Sequence, residues 1–356
     1  TMVDGLSAQL FDGMNSPNYY TIYPPLCQTV FWLSATLFGG EILGNVVVIR
    51  IFMILAEAAT IWYLLKILRI YKRDPRWVLL YALNPIVIME LTGNLHFEGV
   101  MIAFLVAGFY YLLVKRYIIG FLLIAFSIST KLIPLVFLPY LAFSLGWKRT
   151  IQMSGIIGAA TLLLHIPFYD LSFIGNFFSS IELYFQKFEF NASIYYIVRW
   201  IGYQVKGYNI IETAGRQLPI YATALILLIS WILRNRKLRT LPDMVILTLA
   251  SYYFLATTVH PWYIITLLAF VPISRYWFPL VWTILLPLTY HVYRTEAYEE
   301  VLWFVAIEYV IVYFLFFLDI WQPEWYRNAK KYIRSYCCKL VDNGFDSRHD
   351  KGAITS

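Results

Sequence analysis

The chain has 356 residues, 60% of them hydrophobic and only 14% charged, whereas a soluble domain carries about 25% charged residues. That deficit excludes a water-facing surface over most of the chain. The net charge of +7 sits in short Lys/Arg clusters between apolar runs, a membrane-topology pattern and not a nucleic-acid-binding one.

The chain opens Thr1-Met2 and stays polar to about Pro25. It has no basic region followed by an apolar core, so no signal peptide is expected. Such an opening is unusual for a multi-spanning protein, and the sequence is expected to lack its true beginning. Residues 24–43 are apolar but carry Gln28, Thr29, Ser34 and Glu41 behind Pro24-Pro25. They are expected to form an interfacial or re-entrant helix.

Spans are predicted near 45–66, 77–92, 97–114, 117–129, 133–146, 151–168, 218–233, 241–258, 261–274, 277–292 and 301–319. With about eleven spans, every basic cluster (Lys66 to Arg76, Lys115-Arg116, Lys148-Arg149, Arg234 to Arg239, Arg275, and Arg327 to Lys339) falls on one side. Lys and Arg collect in cytoplasmic loops, which makes that side cytoplasmic. Residues 172–215 mix Glu182, Lys187, Glu189, Arg199 and Lys206 with aromatics and are expected to lie along the far surface. The predicted fold is therefore an all-α polytopic transmembrane helix bundle with interfacial helices on the non-cytoplasmic face. Its parts are a non-cytoplasmic segment (1–44), a membrane domain (45–319) and a basic cytoplasmic tail (320–356). Cys27, Cys337 and Cys338 lack metal-ligand spacing and read as packing residues, although Cys337-Cys338 beside Lys330, Lys331, Arg334 and Lys339 also suits palmitoylation.

Polar residues at the ends of spans are costly and tend to be functional. Four groups gather on the far side. Tyr23-Pro24-Pro25 offers a hydroxyl at a helix start, or simply an aromatic belt. Glu90, Asn94, His96 and Glu98 lie in one short stretch, with helical spacing expected to put Glu90, Asn94 and Glu98 on one face unless Gly93 breaks it. Acid/base work, metal binding, sugar-hydroxyl recognition and a mutually satisfied polar turn all suit these residues. Lys131, followed by Pro134, is a lysine on the side the charge rule leaves bare, and a lipid phosphate is a natural partner. His260-Pro261-Trp262-Tyr263 pairs an imidazole with a stacking face. His165, Asn191, Arg199 and His291 are weaker candidates, and Asn191-Ala-Ser193 forms a glycosylation sequon.

The order Tyr23-Pro24-Pro25, Asn84-Pro85, Glu90 leading to Asn94-Leu95-His96-Phe97-Glu98, Lys131-Leu132-Ile133-Pro134, then His260-Pro261-Trp262-Tyr263 resembles the GT-C superfamily of membrane glycosyltransferases. Within it, the chain is most similar to bacterial mannosyltransferases that use polyprenyl-phosphate sugars. The resemblance implies inverting transfer of a hexose, mannose on this ground alone, from a polyprenyl-phosphate donor to a lipid or glycan acceptor. It places the active face on the periplasmic or extracellular side of a bacterial inner membrane and implies a divalent Mg or Mn cofactor. Lys131 is expected to clamp the phosphate with Tyr23 and His260, and Glu98 and His96 to be the catalytic pair, touching the acceptor or a metal. Asn94, Trp262, Tyr263 and Arg199 are expected to be further substrate contacts. In the family a carboxylate base sits in the first large far-side loop. Asp4 and Asp12 match only the later part of that loop, so the base is expected upstream of Thr1, in a protein of about twelve spans. Two other readings compete: a transporter or flippase of a lipid-linked or anionic substrate, and a non-catalytic GT-C-like subunit. The absence of internal repeats and the gathering of polar residues at one end of the spans favour the transferase.

Overall fold

The computed structural model describes residues 21–168, 175–176, 179–180, 187–235, 237–294 and 299–333. Asp4, Asp12, Cys337 and Cys338 lie outside the described residues. Among the described residues the architecture is all-helical, with a lone bridge between Phe190 and Thr258 in place of any strand.

Helix α1 (Pro25–Phe38) starts at a proline in the first position, where a missing N–H costs nothing. It ends at Gly39, whose φ of +54° with ψ of −124° suits only a residue without Cβ. The Asn45 amide donates to the Gly39 and Glu41 carbonyls and sets the turn into α2 (Ile42–Ile70), 29 residues long. After α2 the chain descends through short helical pieces, each opened by a capping side chain and a proline: Asp74 with Pro75, then Asn84 with Pro85. The last piece is a π turn, Ile88–Gly93. Leu95 then adopts φ +62°, and α3 (Glu98–Leu113) leaves at 112° to the preceding piece.

Helix α4 (Tyr117–Ile128) packs tightly on α3 because glycines face each other. A Cβ on Gly108 would lie 3.1 Å from the Gly120 carbonyl oxygen. Helices α5 (Leu138–Leu145) and α6 (Trp147–His165) follow, then α7 (Ile194–Lys206), α8 (Ile211–Ile232), α9 (Leu241–Leu255), α10 (Pro261–Phe270), α11 (Phe278–Leu285) and α12 (Leu302–Trp321). The core is built on α3, α4, α9 and α10, with Phe109, Phe121, Tyr253, Phe270 and Trp282 fully enclosed.

Among the described residues, four helices are long and apolar enough to cross a membrane: α2, α6 with its 3-10 extension to Phe168, α8 and α12. Counting the bent pair Pro85–Gly93 and Glu98–Leu113 as one span makes five. They bear large exposed apolar side chains such as Leu55, Trp62, Leu162, Trp231 and Phe314, a surface that water does not favour and lipid does. The chain is an integral membrane protein. Length and apolar character alone thus account for four or five of the eleven spans expected among the described residues, and the other elements are short. The 12 residues of α4 extend about 18 Å, against a hydrocarbon core of about 30 Å. Short helices suit the middle of the bundle, where protein surrounds their ends. Helix α8 begins at Ile211, inside the 172–215 stretch expected along the surface.

The two ends of the bundle differ. At one end Tyr71 donates to the Arg239 carbonyl, Arg73 to the carbonyls of Pro272 and Ser274, and Lys330 to the carbonyl of Arg275, so several basic clusters meet. At the other end Arg50 donates to the carbonyls of Thr92 and Gly93. Along α2, the stretch from Arg50 to Tyr71 rises about 30 Å, the thickness of a bilayer core.

Candidate active site

The non-basic end gathers most of the expected residues, and three helix N-termini deliver them. The α1 terminus docks on the 129–131 turn: Leu26 N–H donates to the Ser129 carbonyl at 3.1 Å, and the Cys27 thiol to the Thr130 carbonyl at 3.2 Å. This seats Tyr23 against Phe31 and Phe97, with the Lys131 ammonium 5.5 Å from its ring centre. The Tyr263 ring lies 5.8 Å from the same ammonium. Burial raises the Tyr23 phenol pKa above its ordinary value.

Lys131 Nζ meets Glu98 Oε1 at 2.5 Å. Glu98 opens α3, is 2% exposed, and keeps its other oxygen buried without a partner. Burial opposes the lysine charge, but the carboxylate outweighs it and holds the Lys131 pKa above its ordinary value. The predicted single face of Glu90, Asn94 and Glu98 is not what forms. The π turn and the break after Gly93 leave Glu90 with Asn94 (3.2 Å) and send Glu98 to Lys131.

Glu90 is fully buried and fully engaged. It accepts from Asn94 Nδ2, from the Tyr290 hydroxyl, and lies 3.2 Å from His96 Nε2. The His96 ring lies flat on Trp262 (3.7 Å between centres), Trp262 on His260 (4.4 Å), and His260 on Phe190 (5.1 Å). Four rings thus form a column from the α3 start, through the α10 start, to the 190–258 bridge. His260 Nδ1 is buried without a partner. Burial, then the Lys131 charge, lower the His260 pKa to about 3, so the ring is neutral at physiological pH.

Arg199 stands apart from this group. It pairs with Glu189, which also accepts from Tyr195 and Asn209, and its guanidinium lies 4.2 Å from the Tyr196 ring centre. It lines an apolar cavity of about 690 Å³ between α7 and α12, walled by Trp200, Tyr203, Val305 and Tyr309 among others. Asn191 is completely buried and bonded to Glu308, so the folded chain does not present its sequon. His165 binds the Thr161 carbonyl within α6, and the His291 ring packs on Phe304. Sequence reasoning quoted Glu90 without taking it as a site residue and missed Tyr290, Arg50 and Phe190. The Glu90-to-Asn94 spacing was visible, but Tyr290 lies 200 residues further on and only the fold brings it back.

Among the described residues, no three His, Cys, Asp or Glu side chains gather as a metal ion would require. Glu90 is saturated by its donors and Glu98 is held by Lys131, so these residues do not fit a protein-built divalent site.

Residues 17–146 match a family model described as alpha-(1->6)-mannopyranosyltransferase, N-terminal domain. Over 127 residues the chain is 28% identical to Alpha-(1->6)-mannopyranosyltransferase A of Corynebacterium glutamicum. The likeness read from the motifs is to mannosyltransferases in both comparisons. The second match takes in 35% of this chain and 26% of that relative, so the chain is similar to about a quarter of it. Tyr23, Asn94, His96, Glu98 and Lys131 lie inside the segment that matches the mannosyltransferase family model. Arg199, His260, Trp262 and Tyr263 lie beyond it.

Proposed function

We propose that this chain belongs to a membrane glycosyltransferase that moves mannose from a polyprenyl-phosphate donor to a lipid or glycan acceptor on the non-cytoplasmic side. The observation that carries the reading is the buried Lys131–Glu98 pair at the non-basic end, inside the segment similar to mannosyltransferases. The starts of α1, α3 and α10 converge on it, and each helix N-terminus carries a partial positive charge. A lysine among three such termini is a site for an anion, here the donor phosphate sharing Lys131 with Glu98. As the C1–O bond to phosphate breaks, negative charge grows on the leaving oxygen, and fixed positive groups away from water stabilise that change strongly. Tyr23 supplies a hydroxyl beside the clamp. Tyr263 offers an apolar ring to the sugar and Asn94 a polar contact, while Trp262, stacked between His96 and His260, holds the two imidazoles in place. The cavity between α7 and α12 is an apolar wall on which a lipid tail would rest, with Arg199 at its side.

The same reading sets the basic end in the cytoplasm of a bacterial inner membrane, with about eleven spans and with α1 and α7 lying along the opposite interface. A divalent ion, as the resemblance implies, would need ligands beyond the described residues. The test is transfer of labelled mannose from polyprenyl-phosphate-mannose by membranes carrying the complete protein. Lys131→Ala is expected to abolish transfer while insertion persists. Full activity in that variant would remove the clamp, and no transfer with any lipid-linked donor would remove the enzyme. For sidedness, Asn94→Cys should react with an impermeant thiol reagent from outside and Lys237→Cys should not, in a background with Cys337 and Cys338 changed to serine. The reverse pattern would invert the topology.

A further inference from the structure

We infer that the helical segment 324–333, at the basic end, is an interfacial anchor: it lays Trp325 and Tyr332 into the bilayer and presents Arg327 and Lys331 to the phosphate headgroups of anionic phospholipid. Mannosyl transfer plays no part in this assignment. A helix running straight on from α12 would carry residue 330 about 16 Å beyond Asp319, at 1.5 Å per residue. Instead Lys330 Nζ meets Asp319 Oδ1 at 2.6 Å and the Arg275 carbonyl oxygen at 2.6 Å. The chain turns at Gln322, whose φ of +51° is left-handed, and Pro323 follows. The Tyr326 hydroxyl donates to the same Asp319 oxygen at 2.9 Å, and Asp319 itself is completely buried. Tyr326 and Lys330 stand one helical turn apart. Two successive turns are therefore pinned to the foot of α12, and the segment lies across the end of the bundle instead of pointing into water.

The pinning sorts what remains outward. At 3.6 residues per turn, Trp325 and Tyr332 fall on one flank of the Tyr326–Lys330 stripe, and Arg327 and Lys331 fall on the other. Trp325 is 60% exposed and Tyr332 71%, and both cations are exposed too. An aromatic flank is unfavourable in water and a cationic flank is unfavourable in hydrocarbon, so the membrane surface is the place that suits both. The segment stands at that level. The 20 residues of α12 rise about 30 Å, the thickness of the hydrocarbon core. Its last residue, Trp321, is exposed at the depth where tryptophan and tyrosine settle between acyl chains and headgroups. Lys72 and Arg239, exposed at the same end, widen the cationic rim, and that charge complements an anionic leaflet. Glu324 opens the segment, where a carboxylate faces the N–H groups of the first turn.

Two measurements on the complete protein test the two flanks. In vesicles, the tryptophan emission that disappears in Trp325→Phe is the signal of that side chain. Phosphatidylcholine brominated near the headgroup end of its acyl chains should quench most of it. In detergent, phosphatidylglycerol should raise the unfolding temperature at lower lipid concentration than phosphatidylcholine does. The double variant Arg327→Gln, Lys331→Gln should need about fivefold more phosphatidylglycerol for each cation removed, with its phosphatidylcholine response unchanged. Trp325 emission untouched by brominated lipid would put this face in water or against a second copy of the chain. An equal response to the two lipids, or a double variant with the wild-type requirement for phosphatidylglycerol, would remove the anionic headgroups. Each of these three results overturns the anchor, and none of them bears on mannosyl transfer.

Discussion

Replacing Lys131 by Met removes the charge that faces a carboxylate with 2% exposure. Glu98 Oε2 is already without a partner, so the variant leaves both oxygens of a buried carboxylate unmatched. Breaking a buried ion pair from one side costs about 3–5 kcal/mol. Glu98→Gln keeps an acceptor for the lysine but removes its counter-charge, and with Lys131 at 16% exposure it costs less. The double variant removes both charges, so its loss should fall short of the sum by about 2–3 kcal/mol. Thermal unfolding in detergent, read by tryptophan fluorescence, measures all four proteins. The same assay tests the clamp. Polyprenyl phosphate at about 100 times its Kd should stabilise the wild type by about 2.7 kcal/mol and Lys131→Met hardly at all. A Lys131→Met protein as stable as wild type, or losses that simply add in the double variant, would refute the buried pair. Equal stabilisation of both proteins by polyprenyl phosphate would refute its role as the phosphate clamp.

His260 gives the pH prediction. Its folded pKa of about 3 lies below the ordinary 6.5, so the unfolded chain takes up its proton first as acid is added. Stability should therefore fall between about pH 6.5 and about pH 3 and be indifferent to this group above that window. A His260→Phe variant should lose that part of the acid slope in a pH-dependent unfolding series. At the opposite end, Asp319 accepts from the Trp277 and Phe278 N–H groups, the Tyr326 hydroxyl and Lys330. Asp319→Ala should cost about 3–5 kcal/mol while donor KM stays unchanged, as thermal unfolding and transfer kinetics would show. Gly108→Ala puts a methyl 3.0 Å from Ile124 and 3.1 Å from the Gly120 carbonyl. Overpacking of this kind costs about 1–3 kcal/mol and should appear as a lower Tm, whereas Gly155→Ala, which meets nothing within 4 Å, should not lower it.

Apolar composition and the placement of Lys and Arg are local properties, and they were enough to establish a helical membrane protein. The sort of basic clusters to one side agrees with the contacts that bring Tyr71, Arg73, Arg239, Ser274, Arg275 and Lys330 together. Helix ends were readable wherever a proline and a capping side chain coincide, as at Asp74-Pro75 and Asn84-Pro85. The candidate residues stood out because a lysine or carboxylate in an apolar chain is expensive wherever it sits. Their partners were not. Glu98 turns to Lys131 and not to Glu90 because a π turn and a left-handed Leu95 rotate α3 away from the helix the spacing assumed. Tyr290, Trp262 and Phe190 reach His96, His260 and Glu90 across 70 to 200 residues, a separation at which sequence pattern holds no record of contact. Span number, too, lay beyond the sequence: hydropathy marks an apolar segment but does not tell a helix that must cross lipid alone from a shorter one sheltered by its neighbours. Type of residue and side of the bundle were written locally; which charge meets which was decided only when the helices packed.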